Sequence, residues 1–337
     1  MIKNLFKFVI LFTAFSWAVS CSEQEFYEWN EPVEDEEING STPDKPKPEP
    51  NPNPNPNPNP NPNPSPEPEP QPQPDPEKPS GYAARIEVPK LKGGDMNLFR
   101  TFTISVNGKE QVNYSYEYDC TKKHTHWVAF TFDRENNRKN TKRSNSWGYD
   151  TSIPEKYRSH DSDFTNPYNK GHLVASADRY QSREANVQTF YYSNMSPQIS
   201  EFNGGIWGKM ETKVREWAKC EHLSPKEELG PDDVMYVVKG GNINGTVEDG
   251  TLIEFTGPSK VAVPRYYFMA ILFYEGGKYK SIGFYINQEN YSSNSISSYA
   301  KSIDEIEKLT GYDFFHNLPD EIETAVEKSY NKSEWGL

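Results

Sequence analysis

A histidine stands in the stretch "NPYNKGHLVASADR" (Asn166 to Arg179), between a turn-prone Asn-Pro pair and a segment of apolar and small residues. The unperturbed imidazole pKa near 6.5 lets such a side chain accept or release a proton at neutral pH. A histidine in a loop is more often an ordinary surface residue, so His172 alone does not indicate catalysis. Gly171 predicts a tight backbone bend that turns the imidazole into a cleft.

The run "YYSNMSPQISEFNGGIWGKME" places Asn194, Asn203 and Glu211 nine and eight residues apart. Apolar residues spaced three or four apart predict an amphipathic helix that begins near Asn203. These apolar residues are Phe202, Ile206, Met210, Val214 and Trp217. Eight residues span a little over two helical turns, so Asn203 and Glu211 should share one face. The alternative is that Asn203 caps the helix and Glu211 is simply solvated.

Several motifs in this order resemble the DNA/RNA non-specific endonucleases, the ββα-metal or His-Me finger nucleases. The family signature Asp-Arg-Gly-His corresponds to "NKGH", its Asn-x-x-Pro-Gln segment to "NMSPQ", and its helical Asn with downstream Trp and Glu to "NGGIWGKME". Matches also occur at "NYSYEYD", "HWVAF", "RSNSWGYD" and "SIDEIEKLTGYDFF". The resemblance covers about Ile86 to Pro319 and implies a ββα-metal core.

The resemblance implies metal-dependent hydrolysis of phosphodiester bonds in DNA and RNA, leaving 5′-phosphate ends. His172 would be the general base that takes a proton from water, with a rate that rises with pH in the range of roughly 5.5–7.5. Asn203 would be the direct ligand of Mg²⁺, or of Mn²⁺, because an amide oxygen is a hard neutral donor.

Four more residues complete the site that the resemblance implies. Glu211 would orient a metal-bound water, and Asn194 would hold that network or the His172 loop. Arg143 would bind the phosphate bidentately as its charge grows. Lys170 would supply a point charge where the family has arginine.

The chain departs from the family at two places. Asn169 and Lys170 replace the usual Asp-Arg pair, and Met269 stands where lysine is expected after "VPRYYF". The first departure affects the predicted binding of phosphate more than the predicted role of His172.

The elements that must position these residues follow from the patterns on either side. Strands are predicted at "ARIEVPKL", "FRTFTISV", "VNYSYEYD", "HWVAFTFD", "DVMYVVKGG", "YYFMAILFY" and "YKSIGFYIN". An irregular, site-forming loop is predicted between Asn136 and Asn169, and Ser302 could cap a helix at "SIDEIEKLTG". This order predicts an α+β fold with a largely antiparallel β-sheet and packed helices.

The N-terminal part has a different composition. Residues 1–20 have the layout of a bacterial signal peptide, and the small residues before Cys21 resemble a lipobox that would give a lipid-anchored N-terminus. An ordinary cleaved signal with a chance cysteine is the alternative. Residues 21–80 are acidic and Asn-Pro-rich and predict a polyproline II spacer, or else a ligand for a proline-recognising domain. The endonuclease domain is predicted at 81–337.

These features predict export across the inner membrane and anchoring in a membrane through Cys21. Ser22 after the cysteine, with Glu23 and Glu25 nearby, favours the outer membrane or cell surface. No protein partner can be inferred from the sequence.

Charge and cysteines exclude some classes of protein. The formal charge is −13, of which residues 1–80 carry −9 and residues 81–337 only −4, so the folded part has no global basic signature of a nucleic-acid binder. The basic run "RENNRKNTKR", taken alone, is more commonly explained as a solvated hairpin loop. Cys120 and Cys220 could form a disulfide or remain free, and no Cys/His cluster indicates zinc.

Two other functions remain open. One is a phosphodiesterase of the same fold with a narrower substrate, such as a single type of nucleic acid. The other is a surface lipoprotein that has lost catalytic strength and binds nucleic acid or another polymer for uptake, as the lost Asp-Arg pair would allow.

Overall fold

The computed structural model describes residues 79–245, 250–291 and 295–337. The predicted signal peptide, the lipid anchor at Cys21 and the spacer up to residue 78 lie outside the described residues. The chain divides into two units, Met1–Pro76 and Glu77–Leu337, and the described residues belong to the second. Within the described ranges, no helix combines the length and apolar character needed to cross a bilayer.

The second unit contains eleven described strands. They are β1 (Asn97–Val106), β2 (Lys109–Asp119), β3 (His124–Phe132), β4 (Tyr168–His172), β5 (Met195–Ile199), β6 (Val234–Gly241), β7 (Glu254–Thr256), β8 (Val261–Val263), β9 (Tyr266–Glu275), β10 (Lys278–Asn287) and β11 (Ala300–Lys301). Seven of them form one sheet in the order β1-β2-β3-β6-β9-β10-β11, and two-stranded sheets pair β4 with β5 and β7 with β8. All these pairs are antiparallel.

Six of the seven predicted strands are confirmed as β1, β2, β3, β6, β9 and β10. The strand predicted at "ARIEVPKL" is wrong, because the described residues 85–91 form turns and coil. Pro89 has no N–H for a ladder. The alternation there instead reflects a loop packed on the domain, since Val88 is fully buried and the Lys90 N–H donates to the Asp313 carbonyl at 2.9 Å.

Five α-helices lie in the described residues. They are α1 (Arg183–Gln188), α2 (Ser200–Phe202), α3 (Gly208–Trp217), α4 (Ile303–Thr310) and α5 (Asp320–Glu327). The predicted cap of α4 is confirmed, because the Ser302 hydroxyl accepts from the Glu305 N–H at 3.2 Å and the Glu305 carboxylate accepts from the Ser302 N–H at 2.8 Å.

The predicted amphipathic helix begins at Ser200, three residues earlier than expected. A π-helical segment, Asn203–Trp207, joins α2 to α3 and contains a kink at Gly205. Asn203 itself has helical φ −58° and ψ −53°, so the interpretation of Asn203 as an N-cap is wrong. The predicted apolar face is confirmed, because Phe202, Ile206, Met210 and Val214 are buried.

The seven-stranded sheet buries both of its faces. One face, with Tyr116, Phe130 and Met269, packs against the apolar side of α2 and α3. The opposite face, with Trp127 and Phe268, packs against α4, α5 and the segment between them. Opposite faces are covered because successive residues of a strand point to opposite sides. The α+β fold with a largely antiparallel sheet is therefore confirmed, and the two helical layers lie on opposite sides of it.

Cys120 and Cys220 are both buried free thiols rather than a disulfide. Burial raises the pKa of Cys220 to about 12, so this thiol stays protonated and unreactive at neutral pH.

Candidate active site

The β4–β5 hairpin positions His172 at the end of β4, opposite Met195. The turn that follows is held by Asn194. Its side-chain oxygen accepts from the Val174 N–H at 2.8 Å, and its amide nitrogen donates to the carbonyls of Val174 at 2.9 Å and Thr189 at 2.7 Å. Because Asn194 is buried and its amide is occupied by backbone groups, it acts as a positioning residue for the His172 loop rather than as a group that touches substrate.

Gly171 is required for close packing, and the bend predicted there is wrong. Gly171 does not have a positive φ and lies inside β4. A Cβ at this position would lie 2.1 Å from Oε1 of Gln198, far inside van der Waals contact. The glycine therefore leaves room for the Gln198 side chain of β5 to lie against β4 at this position.

The imidazole of His172 is half-buried between two aromatic rings. Its centroid lies 5.7 Å from that of Trp147 and 5.0 Å from that of Phe190, which it meets edge-on. Its Nε2 is buried and has no hydrogen-bond partner among the described residues. By contrast, both ring nitrogens of the core histidines His124 and His126 are hydrogen-bonded. His172 thus differs from a core histidine and offers a free ring nitrogen for chemistry.

Its surroundings strongly favour the neutral imidazole. Burial, together with the positive charges of Arg143 and Lys239, lowers the pKa of His172 to about 3. His172 of the unliganded protein is therefore already neutral throughout pH 5.5–7.5, and the expected rise in rate stays a prediction for the complex with substrate. A proton acceptor is available at every pH above about 4.

Arg143 and Lys170 contact the same rings that flank the histidine. The guanidinium of Arg143 lies 4.8 Å from the Phe190 centroid, and Nζ of Lys170 lies 4.2 Å from the Trp147 centroid. Lys170 also pairs with the Asp161 carboxylate, whose side chain is 65% exposed. An exposed ion pair is worth little, so a phosphate can replace Asp161 at this lysine. The structure thus brings Arg143 close to Lys170 and His172, although Arg143 lies 29 residues before His172 in the sequence.

Asn203 and Glu211 lie on the same helical stretch. Asn203 is half-buried in the π-helical segment, and its side chain has no hydrogen-bond partner within the described residues. Glu211 is half-buried and accepts from Nζ of Lys239 at 3.0 Å. Burial raises the pKa of Glu211, although Lys239 opposes this effect. π-Helical turns occur frequently at functional sites.

These two side chains fit a divalent cation. A free amide oxygen and a carboxylate are hard donors of the kind that Mg²⁺ prefers, and Mg²⁺ needs few protein ligands because it keeps most of its water. The absence of a partner for the Asn203 amide within the described residues is the observation that supports this fit.

A buried charge cluster lies behind Glu211 and was not predicted from the sequence. Nζ of Lys239 lies 3.0 Å from Asp178 and 3.0 Å from Glu211, and Arg215 binds Asp178 at 2.9 Å. Burial opposes ionisation of Asp178, but Lys239 and Arg215 outweigh it and lower the pKa of this carboxyl to about 2. One signal was available, because Lys239 is a charged residue within the apolar run of β6. Trp147 was noted only as part of a motif, and its contacts with Lys170 and His172 were not foreseen.

Lys239 also explains the missing lysine at position 269. In the pairing of β6 with β9, Lys239 lies directly opposite Met269. Directly opposed residues of antiparallel strands point to the same face of the sheet. Lys239 therefore places an ammonium on the face that carries the site, directly across from the position on β9 where lysine was expected.

Comparisons with known proteins agree with this geometry. The model of the DNA/RNA non-specific endonuclease family matches residues 97–321. A nuclease from Nostoc sp. is 28% identical over 225 residues, which cover 64% of this chain and 75% of that protein. The mitochondrial nuclease EXOG of Xenopus laevis is 27% identical over 219 residues, which cover 62% of this chain and 58% of that protein.

A solved structure supports the fold. A chain in the crystal structure of the EndoG/EndoGI complex superposes with a TM-score of 0.54 at 24% identity, covering 65% of this chain and 88% of that one. The residues matched by the family model, 97–321, include the β4–β5 hairpin, the helix with Asn203 and Glu211, and the central sheet. By its sequence and its site, this chain belongs to the DNA/RNA non-specific endonuclease family.

Proposed function

We propose that this nuclease hydrolyses phosphodiester bonds in both DNA and RNA, with a divalent cation, Mg²⁺ or Mn²⁺, and leaves 5′-phosphate ends. The observation that carries the proposal is the neutral imidazole of His172, whose Nε2 has no hydrogen-bond partner within the described residues and which lies beside two cationic side chains. Membership of the family supplies nucleic acid as the class of substrate.

His172 accepts a proton from water while the water oxygen forms a bond to phosphorus. The bond between phosphorus and the 3′ oxygen breaks, the 3′ oxygen takes a proton from solvent, and the phosphate stays on the 5′ side. A bound phosphodiester brings negative charge next to the imidazole and raises the pKa of His172 in the complex, which makes it a stronger base when substrate is present.

The other side chains bind and orient the substrate. Arg143 and Lys170 stabilise negative charge on the phosphate oxygens, Arg143 with a planar fork and Lys170 as a point charge. Asn203, with Glu211, would hold the cation, which when bound supplies positive charge for the phosphate and the departing oxygen. Lys239 and Arg215 fix Glu211 and Asp178 behind the site.

We also propose export across the inner membrane and lipid anchoring at Cys21 at the outer membrane or cell surface. This rests on the signal-like residues 1–20 and the small residues before Cys21. Labelling of cells with radioactive palmitate, followed by purification of the wild type and of Cys21→Ser, tests it. Equal labelling of both proteins would contradict the anchor.

Hydrolysis of supercoiled plasmid and of a long RNA, each with Mg²⁺ and with EDTA, tests the proposed reaction. We expect both polymers to be cut with Mg²⁺ and neither with EDTA. Asn203→Ala should lower turnover by orders of magnitude and recover partly at high Mg²⁺, while Asn203→Asp keeps an oxygen donor and should retain more activity. Retention of nucleic acid without cleavage would instead support the binding protein, and cleavage of only one polymer would support the narrower enzyme.

A further inference from the structure

Three carboxylates converge on the face of the sheet opposite the active site. Asp304 and Glu307 lie on α4, and Glu327 is the last residue of α5, which packs against α4. One carboxylate oxygen from each lies within 4.8 Å of the corresponding oxygens of the other two. No lysine or arginine forms an ion pair with any of them within the described ranges.

Glu327 points to a missing ligand. Glu327 is only 6% exposed, and its Oε1 is buried without a hydrogen-bond partner among the described residues. A buried carboxylate oxygen without a partner is costly and uncommon in native proteins. In Glu307, by contrast, Oε1 accepts from the Phe314 N–H at 2.7 Å.

The position of Glu327 in its helix adds to this cost. A negative charge at the C-terminus of a helix opposes the helix dipole, and the last turn of α5 contains no basic residue. Burial, together with the charges of Glu307, Glu323, Asp304 and Asp313, raises the pKa of Glu327 to about 9. The largest charge effects on Glu327 thus come from acidic groups of α4, of α5 and of the segment between them.

From this arrangement we propose that Asp304, Glu307 and Glu327 bind one Ca²⁺ ion that joins α4 to α5. An all-oxygen, carboxylate-rich set selects a hard cation and not zinc or copper. Oxygens bound to one Ca²⁺ ion at about 2.3–2.6 Å can lie up to about 5 Å apart, so three oxygens within 4.8 Å of one another can reach a single Ca²⁺ ion. Mg²⁺ keeps several waters and is usually held by one or two carboxylates, so a set of three carboxylates favours Ca²⁺.

This site is separate from the proposed catalytic cation site. The sheet lies between them, since α3 packs on one face and α4 and α5 on the other. The ion would stabilise the C-terminal layer and would not take part in hydrolysis, so stability rather than activity reports on it.

Thermal unfolding of the full chain tests the proposal. The protein is treated with EDTA and transferred to 1 mM CaCl₂, and its unfolding is then monitored by circular dichroism. We expect Ca²⁺ to raise the Tm of the wild type by about 5 °C or more, as a ligand at many times its Kd does in a domain of this size. Glu327→Gln should lose this shift. The exposed Glu321→Gln, on the first turn of α5, and Asn203→Ala, in the active site, should keep it.

Three outcomes would overturn the site. A shift that persists in Glu327→Gln but disappears in Asn203→Ala would place Ca²⁺ in the active site alone. No shift in the wild type, with a higher Tm for Glu327→Gln in EDTA, would mean that the three carboxyls share a proton. An equal response to MgCl₂ would contradict the assignment to calcium. If Glu327→Gln does not fold, Asp304→Asn, with a half-buried side chain, gives the same readout.

Discussion

At the residue scale, the site depends on an imidazole that is neutral before substrate arrives. Trp147 and Phe190 exclude water from His172, and Arg143, Lys239 and Lys170 add positive potential around it. Two of these groups, Arg143 and Lys170, are also the ones that we propose to bind phosphate. Binding and basicity are therefore coupled, because the phosphate charge restores the proton affinity of the base.

This coupling predicts two different pH profiles. kcat/KM reports the free protein, in which the pKa of His172 is lowered to about 3, so His172 should cause no fall in kcat/KM between pH 7.5 and 5. kcat reports the complex, and its rising limb should lie at higher pH. Measurement of both constants at saturating Mg²⁺ checks this. A kcat/KM limb near pH 6.5 that disappears in His172→Asn would contradict it.

We expect the aromatic ring of Trp147 to contribute to kcat/KM. Trp147→Ala removes the face that Lys170 contacts at 4.2 Å and opens one side of His172 to water. We expect kcat/KM to fall by roughly tenfold, the size of a partly buried cation–π contact, while Trp147→Phe should keep most of the activity. Steady-state kinetics of the wild type and both variants on DNA test this expectation. If Trp147→Ala has the same kcat/KM as the wild type, the ring has no such role.

The sequence could identify those site residues that lie within motifs. His172, Asn203 and Glu211 are marked by their spacing and neighbours, and the structure places each as part of the β4–β5 hairpin or the helix that follows. Asp178 and Lys239 could not be linked in advance, because 61 residues separate them and only the pairing of β6 within the sheet brings Lys239 to Asp178. The low pKa of His172 likewise results from tertiary burial, which the sequence does not display.

At the element scale, the paired strands β6 and β9 determine where the lysine of the buried charge cluster lies. The buried cluster needs a single ammonium between Asp178 and Glu211, and Lys239 on β6 supplies it opposite Met269 on β9. The strand patterns predicted both β6 and β9 correctly. Six of the seven predicted segments form strands that pair within the seven-stranded sheet. The segment at 85–91 shows the limit of such patterns, since a buried loop can alternate in the same way.

A swap of the two residues tests this arrangement. Lys239→Met alone leaves buried Asp178 and Glu211 without their shared cation and should cost about 3–5 kcal/mol of stability and most of the activity. Adding Met269→Lys should restore a large part of both. Urea unfolding and kinetics of the wild type, both single variants and the double variant form the cycle. A double variant no better than Lys239→Met would contradict the replacement.

At the scale of the whole molecule, the buried histidines make stability depend on pH. Burial is the main cause that lowers the pKa of His124 to about 4 and that of His126 to about 3, and the pKa of His172 is also about 3. Between these values and about 6.5, the unfolded chain binds protons that the folded chain does not, so the free energy of unfolding falls as the pH is lowered.

Each of these histidines contributes a slope of up to about 1.4 kcal/mol per pH unit below pH 6. Urea unfolding at pH 7.5, 6 and 5 measures the summed slope, to which Glu327, with its raised pKa, contributes with the opposite sign. His172→Asn should therefore lower the slope by up to about 1.4 kcal/mol per pH unit. A slope that is the same in His172→Asn as in the wild type would contradict the burial of His172 in neutral form.

The start of the folded domain gives a second prediction at this scale. A chain of residues 81–337 should keep the Tm and activity of the longer chain, because the removed residues carry no apolar periodicity that could join a core. A chain of residues 90–337 should melt several degrees lower, since it loses the buried Val88 and the carbonyls of Ala83 and Arg85 that accept from Asn317. Unfolding of the 81–337 chain would overturn the boundary.

The most direct test of the account is kcat for plasmid DNA of His172→Ala relative to wild type, at saturating Mg²⁺ and per folded molecule. Removing a base that acts on water should lower kcat by about 10²–10⁴. The Tm should not fall much, because Nε2 has no hydrogen bond to lose within the described residues. A His172→Ala protein that melts far below wild type yet cleaves at a near-normal rate would contradict His172 as the catalytic base.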